Sequence, residues 1–282
     1  MRKSIAIIIT SILVLSGCNK QQSVSDRLLN EVEKAIAINP DSASNLLKSI
    51  SSPEKLDDKA FARWCMLSGK ITDEIFNSIL PTYQLERAYD WYSSHGSPDE
   101  QVQILIYLGR SYFADGDYDK AMSIYTNALD IAGKNKLNNL IGYTYDYIGD
   151  LYREKFMRTE AIKRYEIAAE YFKKEKNTDS YACALRDIGR EYAQMDSLSH
   201  ALNILIIADS VAANTSNINV TASINNALGN IYSMQNKYDK AEEYLLKALL
   251  TGREKMPDYV ALIDLYTASN SINKAKELLL VI

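Results

Sequence analysis

A fixed interval of 40 residues separates equivalent small and bulky positions along most of the chain. Each unit opens with an apolar residue, a glycine and, three positions later, a tyrosine: Leu108, Gly109 and Tyr112; Ile148, Gly149 and Tyr152; Ile188, Gly189 and Tyr192; Leu228, Gly229 and Tyr232. Two alanines follow in the same register: Ala121 and Ala128, Ala161 and Ala168, Ala201 and Ala208, Ala241 and Ala248. A period of this length predicts a stack of helical hairpins.

A fifth copy follows the fourth after a shorter step of 34 residues, and it is weaker. It keeps Leu262, Tyr266 and Ala275 but has Ile263 at the glycine position. Because the sequence ends at Ile282, inside the expected second helix of this unit, we expect the last repeat to be incomplete.

These registered positions resemble the tetratricopeptide repeat (TPR) over roughly residues 98–282. In that family, small residues let two antiparallel helices approach while bulky residues fill the seam between them. The resemblance implies an all-α fold, an α-solenoid of antiparallel helical hairpins that acts by presenting a binding surface. The 40-residue step exceeds the usual 34, which predicts a longer second helix or connection.

Polar and helix-breaking residues mark the turns inside the hairpins, at residues 114–117, 194–197 and 234–237. The second repeat has Phe156, Met157 and Arg158 at this place, so we expect its turn to pack differently. Ahead of the first clear repeat, Ser97 and Glu100 have the spacing of a capping box. Residues 28–96 keep a helical pattern without the register, which predicts two degenerate hairpins that cap a solenoid over residues 97–282.

The amino end has a positive start, an apolar run from Ser4 to Val14, and then Leu15-Ser16-Gly17-Cys18. The run is too short to span a bilayer and reads as a signal peptide over residues 1–17. The last four residues resemble the bacterial lipobox, in which the cysteine becomes the acylated amino terminus; the alternative is a plain signal peptide with an incidental cysteine. The resemblance implies lipidation at Cys18, a polar tether over residues 18–27 and, because Asn19 is not aspartate, an outer-membrane location in the cell envelope.

Composition gives no indication of catalysis or of a cofactor. The formal net charge is −4, so there is no general electrostatic reason to bind nucleic acid. Cys65 and Cys183 are far apart in a fold whose contacts are local, so we expect no disulfide and no metal site. Neither His95 nor His200 lies in a nucleophile motif, and the repeat glycines do not form a phosphate loop.

The first helix of each TPR hairpin lines the concave face, and the family makes many contacts one residue after the motif glycine and four residues before that position. Those candidate partner-binding positions hold charged and amide residues: Arg110, Asp146, Asp150, Arg186, Arg190, Asn226 and Asn230. They lack the full set of the TPR clamp for carboxyl-terminal peptides. Two interpretations stay open, namely ion pairs between neighbouring hairpins and a polar strip for a partner.

We therefore expect a lipid-anchored interaction module that binds a protein or peptide of the cell envelope. The alternative is an accessory lipoprotein of an outer-membrane assembly or nutrient-uptake complex.

Overall fold

The computed structural model describes residues 25–75, 79–253 and 255–280, and within these ranges the regular structure is helical, with no strand. The first described helix, α1, covers residues 25–36. Thirteen more follow in order: α2 Pro40–Lys48, α3 Asp58–Ile75, α4 Thr82–His95, α5 Pro98–Ala114, α6 Tyr118–Asn135, α7 Asn138–Glu154, α8 Arg158–Lys174, α9 Thr178–Gln194, α10 Leu198–Ala212, α11 Ile218–Met234, α12 Tyr238–Thr251, α13 Met256–Ala268 and α14 Ile272–Leu279. The predicted all-α class is confirmed. The predicted signal peptide and Cys18 lie outside the described residues.

The contacts divide the chain into two compact units, residues 1–135 and residues 136–282. In the first unit α3 to α6 pack consecutively, and α1, α2 and α3 share an apolar cluster around Leu29, Leu47 and Leu67. In the second unit α7 to α14 pack consecutively as four hairpins. Within this unit α9 also contacts α11, and α11 contacts α13, so the first helices of neighbouring hairpins lie on the inner side of the stack.

Small residues allow the two helices of each hairpin to approach. A Cβ atom placed on Gly149 of α7 would lie 2.5 Å from Cε1 of Tyr165 on α8. Gly109 faces Tyr125 and Gly189 faces Leu205 in the same way, while Ala168 is fully buried. The prediction that the registered small residues form the seams is confirmed.

The long repeat comes from the second helix and from the connection after it. The second helices α6 and α8 have 18 and 17 residues, whereas α10 has 15 and is followed by a longer connection, residues 213–217. The capping box before α5 is also confirmed, because the Ser97 side chain accepts from the Glu100 N–H and the Glu100 carboxylate accepts from the Ser97 N–H.

The turn of the second repeat has the same backbone as its relatives although its residues differ. Phe156 takes a left-handed φ of 57°, close to the 58° of Asp196 and 59° of Asn236. The next N–H, that of Met157, donates to the Tyr152 carbonyl at 2.9 Å. This helix-closing bond recurs in the other turns and sets the conformation whatever residue occupies the position.

No described helix is long and apolar enough to cross a membrane.

Candidate binding surface on the first helices of the repeats

A charged cluster occupies the inner side of the second unit at α9. Arg186 donates through Nε to Asp187 Oδ1 at 3.0 Å and through Nη2 to Asp187 Oδ2 at 2.6 Å. Its Nη1 donates to Ser223 Oγ on α11 at 2.9 Å, which joins two neighbouring hairpins. Arg190 adds a long 3.4 Å bond to Asp187 and leaves 42% of its own side chain exposed.

On α7, the carboxylate of Asp150 is held by a cation and a phenol. Asp150 Oδ1 lies 2.7 Å from Arg153 Nη1 and accepts from the Tyr165 hydroxyl at 2.8 Å. Asp146, one helical turn earlier, differs from it. Its Oδ1 is enclosed by protein and has no hydrogen-bond partner.

The three carboxyl groups of the cluster therefore titrate differently. Burial raises the pKa of Asp146 well above its ordinary value, and the nearby carboxylates of Asp150 and Asp187 raise it further. Burial also raises the pKa of Asp150, although Arg153 opposes this. Burial acts in the same direction on Asp187, but the ion pair with Arg186 outweighs it and holds the Asp187 pKa below its usual range. Asp187 is therefore well satisfied as an anion, whereas Asp146 is not.

A neutral amide chain continues the surface from α11 to α13. Asn230 donates through Nδ2 to Asn226 Oδ1 at 3.0 Å, and Asn226 donates to Asp258 Oδ1 at 2.7 Å. Asp258 is 4% exposed, and burial raises the pKa of its carboxyl despite the bond from Asn226. Asn230 is the exposed end of this chain.

Arg110 lies in the first unit, on α5. It forms an ion pair with Asp73 of α3, a carboxylate that also accepts from the Tyr107 hydroxyl at 3.0 Å. Burial raises the pKa of Tyr107 well above its ordinary value, and Asp73 adds to this.

The predicted groove positions of the second unit are brought together on α7, α9 and α11, while their partners are mostly residues that the sequence analysis did not select. Among these described positions, no ion pair joins Asp146 or Asp150 to Arg186 or Arg190. Of the two open interpretations, ion pairs between neighbouring hairpins are therefore not seen at these four residues. The charges pair within their own helices instead, because Asp187 and Arg153 lie closer.

The partner residues that the sequence analysis missed differ in how well their sequence spacing predicts the contact. Arg153 follows Asp150 by three positions, a spacing that places both on one helix face and that could have been read. Asp187 follows Arg186 directly, a spacing that does not predict contact on a helix. Only the Arg186 side chain folding back along α9 brings the two together.

Other reactive side chains are isolated from one another. Cys65 is buried, with its pKa raised to about 12 by burial, and neither it nor Cys183 is in a disulfide. His95 stacks on Trp91, and His200 stacks on Tyr192. The described part of the chain contains no group of three His, Cys, Asp or Glu residues placed to hold a metal ion.

Comparison with known proteins agrees with the repeat pattern. The tetratricopeptide repeat family matches at residues 105–138 and again at residues 221–256. Photosystem I assembly protein Ycf3 from Rippkaea orientalis is 32% identical over 91 residues, which is 32% of this chain. The match spans about half, 52%, of that relative's own length.

Solved structures share the fold at low sequence identity. A Rap protein complexed with Competence and Sporulation Factor superposes with a TM-score of 0.75 at 19% identity, over 92% of this chain and 75% of that one. The apo form of the quorum sensor NprR from B. thuringiensis gives a TM-score of 0.57 at 15% identity, over 91% and 74% of the two chains. The chain is therefore an α-solenoid that contains tetratricopeptide repeats, a fold that supports a role in protein binding.

Proposed function

We propose that the chain is a cell-envelope scaffold, anchored by lipid at Cys18, that binds a protein or peptide partner through the inner side of α7, α9 and α11. The observation that carries the proposal is the polar surface itself. Seams repeat the same small and bulky residues, whereas the inner positions carry acid, base and amide in successive repeats. Packing does not require such residues, and a partner with complementary groups can bind them.

Within this surface, the exposed ends of the two networks are the groups best placed to meet a partner. Arg190 has one weak internal bond, and 42% of its side chain is exposed. Asn230 donates to Asn226 and is otherwise exposed. By contrast, Arg186 and Asn226 satisfy the buried carboxylates Asp187 and Asp258, so their replacement would disturb folding and binding together.

The structural relatives add support of a general kind. The Rap protein was solved in complex with a factor, and NprR is described as a quorum sensor. Both have this fold, and a solenoid of this kind is consistent with a protein or peptide partner.

The binding proposal is tested by crosslinking in membranes. Arg190→Ala with Asn230→Ala should reduce recovery of a crosslinked envelope partner while the circular dichroism spectrum stays that of the parent chain. Lys163→Ala is the matched control, because it removes one cation from α8 whose side chain is 57% exposed. Equal recovery from the parent chain and the double variant would place the partner elsewhere. Recovery of transporter or barrel-assembly proteins would favour the accessory role over a general scaffold.

The lipid anchor is tested separately. Cys18→Ser should leave an unprocessed precursor that takes up no labelled fatty acid, because the thiol is the acceptor in the lipobox family. Normal cleavage and membrane retention of this variant would remove the anchor from the proposal and leave the binding surface untouched.

A further inference from the structure

Arg190 on α9 is a cation whose charge is not fully balanced on the inner side of the second unit. In the described part of the chain it pairs with one carboxylate, that of Asp187, at 3.4 Å. Both oxygens of this carboxylate already accept from Arg186, at 3.0 and 2.6 Å. One carboxylate cannot neutralise two guanidinium groups, and 42% of the Arg190 side chain is exposed. Arg190 is therefore the place in this cluster where an anion from outside can bind.

The surroundings of Arg190 oppose its positive charge. Partial burial lowers the Arg190 pKa to about 10, and the cations of Arg186 and Arg153 act in the same direction, while Asp187 opposes them. Glu154 lies 3.9 Å from Arg153, but its side chain is 44% exposed, so water screens its charge. A further carboxylate beside Arg190 would relieve the repulsion among the arginines, whereas a further cation would increase it.

Asp146 on α7 controls the size of this imbalance. Its Oδ1 is enclosed by protein without a hydrogen-bond partner, and burial raises its pKa well above the ordinary value. Asp146 and Arg190 share one set of charged neighbours, which act on the pKa of both: Arg153, Arg186 and Asp187. While Asp146 keeps its proton, it adds no charge to the cluster. When it ionises, its negative charge offsets the excess at Arg190.

The titratable and charged groups that surround Asp146 lie on three helices: Asp150 and Arg153 on α7, Tyr165 on α8, and Cys183, Arg186 and Asp187 on α9. Burial raises the pKa of Cys183 and of Tyr165, so both stay neutral near neutral pH. Burial also raises the pKa of Asp150, although its pairing with Arg153 opposes the shift. Asp146 and Asp150 are therefore the two groups that can change charge, and Asp146 is the one whose oxygen lacks a partner.

We propose that Arg190 binds an acidic side chain of the partner, and that Asp146 sets the strength of this contact by gaining or losing its proton. The proposal rests on the proposed function, because it names the partner chemistry of the same surface. A partner carboxylate supplies the charge that Asp187 cannot give to two arginines at once. The contact weakens as the pH rises, since ionised Asp146 then supplies part of that charge and repels the partner's carboxylate.

The test measures the binding of labelled peptides to the full chain by fluorescence anisotropy. The peptides alternate glycine with glutamate, glutamine or lysine, and both ends are blocked so that only side chains carry charge. Titrations run from about pH 5, where the glutamates are largely ionised, to about pH 8. We expect the glutamate peptide to bind most tightly and the lysine peptide least. If the glutamine or lysine peptide binds as tightly as the glutamate peptide, the proposal is overturned.

Arg190→Gln locates the contact. It should weaken binding of the glutamate peptide about tenfold at the lower pH, because it removes a charge-assisted bond, and leave binding of the glutamine peptide as it is. Lys163→Gln is the matched control, since it removes one cation from α8 whose side chain is 57% exposed. An equal loss in the two variants would show that net charge alone attracts the peptide, which would also overturn the proposal.

Asp146→Asn tests the proton. The parent chain should bind the glutamate peptide about three- to tenfold more weakly at the higher pH, as Asp146 ionises nearby. Asp146→Asn should remove this fall, because the amide keeps the shape of the carboxyl and stays neutral. Glu166→Gln, at an exposed acid of α8, makes the same change of charge and should retain the fall. A parent chain without the fall, or a fall that persists in Asp146→Asn, would overturn the role of Asp146.

These outcomes are distinguishable from failure of the proposed function. If Arg190→Ala with Asn230→Ala loses the crosslinked partner while the peptides show no preference for acid, the binding surface stands and the acidic chemistry of the partner is wrong. If partner recovery does not change while the glutamate peptide binds at Arg190, the acid site exists but is not the place where the envelope partner binds.

Discussion

The seams inside the hairpins and the inner side of the first helices share one repeat period but use it differently. At the seam, Gly149 against Tyr165 and Gly189 against Leu205 are versions of one contact. On the inner side, the position three residues before the glycine changes with every repeat: Ile106, Asp146, Arg186 and Asn226. The repeated backbone provides equivalent positions on both surfaces. The seams hold similar residues at these positions in every repeat, whereas the inner side does not.

The difference follows from what each surface has to satisfy. A seam is closed by two helices that approach closely, so volume and shape restrict the residues at each position. The inner side has to satisfy only the hydrogen-bonding needs of its own polar groups. Several solutions meet that need, as the ion pair at Asp187 and the amide chain to Asp258 show. The residue types on the inner side can therefore vary to complement a partner.

The largest effect should come from filling a seam. Gly149→Leu would force its side chain into the ring of Tyr165, which is fully buried and held through its hydroxyl by Asp150. We expect a loss of about 3 kcal/mol in the free energy of unfolding, at the upper end for overpacking. Thermal unfolding followed by circular dichroism measures it.

Gly133→Ala is the matched control, because a Cβ atom there would meet no other atom within 4 Å. It should stabilise α6 by about 0.5–1 kcal/mol, since alanine is the better helix former. Equal destabilisation by the two substitutions would show that the seam does not select small residues.

A smaller loss is expected on the inner side when Asp187 is removed. Asp187→Ala leaves Arg186 and Arg190 close together without their shared carboxylate. The cost should be about 2–3 kcal/mol, below that of breaking a fully buried pair because both arginines keep some exposure. Urea unfolding measures this loss. Adding Arg186→Met should recover part of it, and a double variant less stable than the single one would contradict the ion-pair account.

The two regions were predictable from the sequence to different extents. The seams could be predicted, because close packing of the two helices requires small residues at the spacing of Gly149, Ala161 and Ala168. The location of the inner positions was predictable as well, since residues four apart share a helix face. Their partners were not, because the bond from Arg186 to Asp187 depends on how a flexible side chain folds back. The backbone at Phe156 was missed because a helix-closing hydrogen bond overrides residue preference there.

Asp146 should make the stability depend on pH in a direction opposite to that of Asp187. Its pKa in the folded state lies above its ordinary value of 3.8, so the native state binds more protons than the unfolded chain above that pH. The charge on Asp146 therefore destabilises the fold as the pH rises. Asp146→Asn should be more stable than the parent chain at neutral pH, with an advantage that shrinks towards pH 3.8.

Unfolding curves of both chains across this range provide the measurement. The charges of Asp150, Asp187, Arg153 and Arg186 surround Asp146 and stay in place in the variant. A difference that does not change with pH would show that Asp146 is ionised and satisfied in the native state.

The smallest effect is expected at Asn230, the exposed end of the amide chain. Its bond to Asn226 Oδ1 forms at the protein surface, where water replaces it, so Asn230→Ala should change the free energy of unfolding by no more than about 0.5 kcal/mol. Asn226→Ala should cost more, because it removes the donor to Asp258, which is 4% exposed. Chemical unfolding of the two variants side by side measures the contrast. If Asn230→Ala proved as damaging as Asn226→Ala, the amide chain would act as one structural unit, and its outer end could not be reserved for a partner.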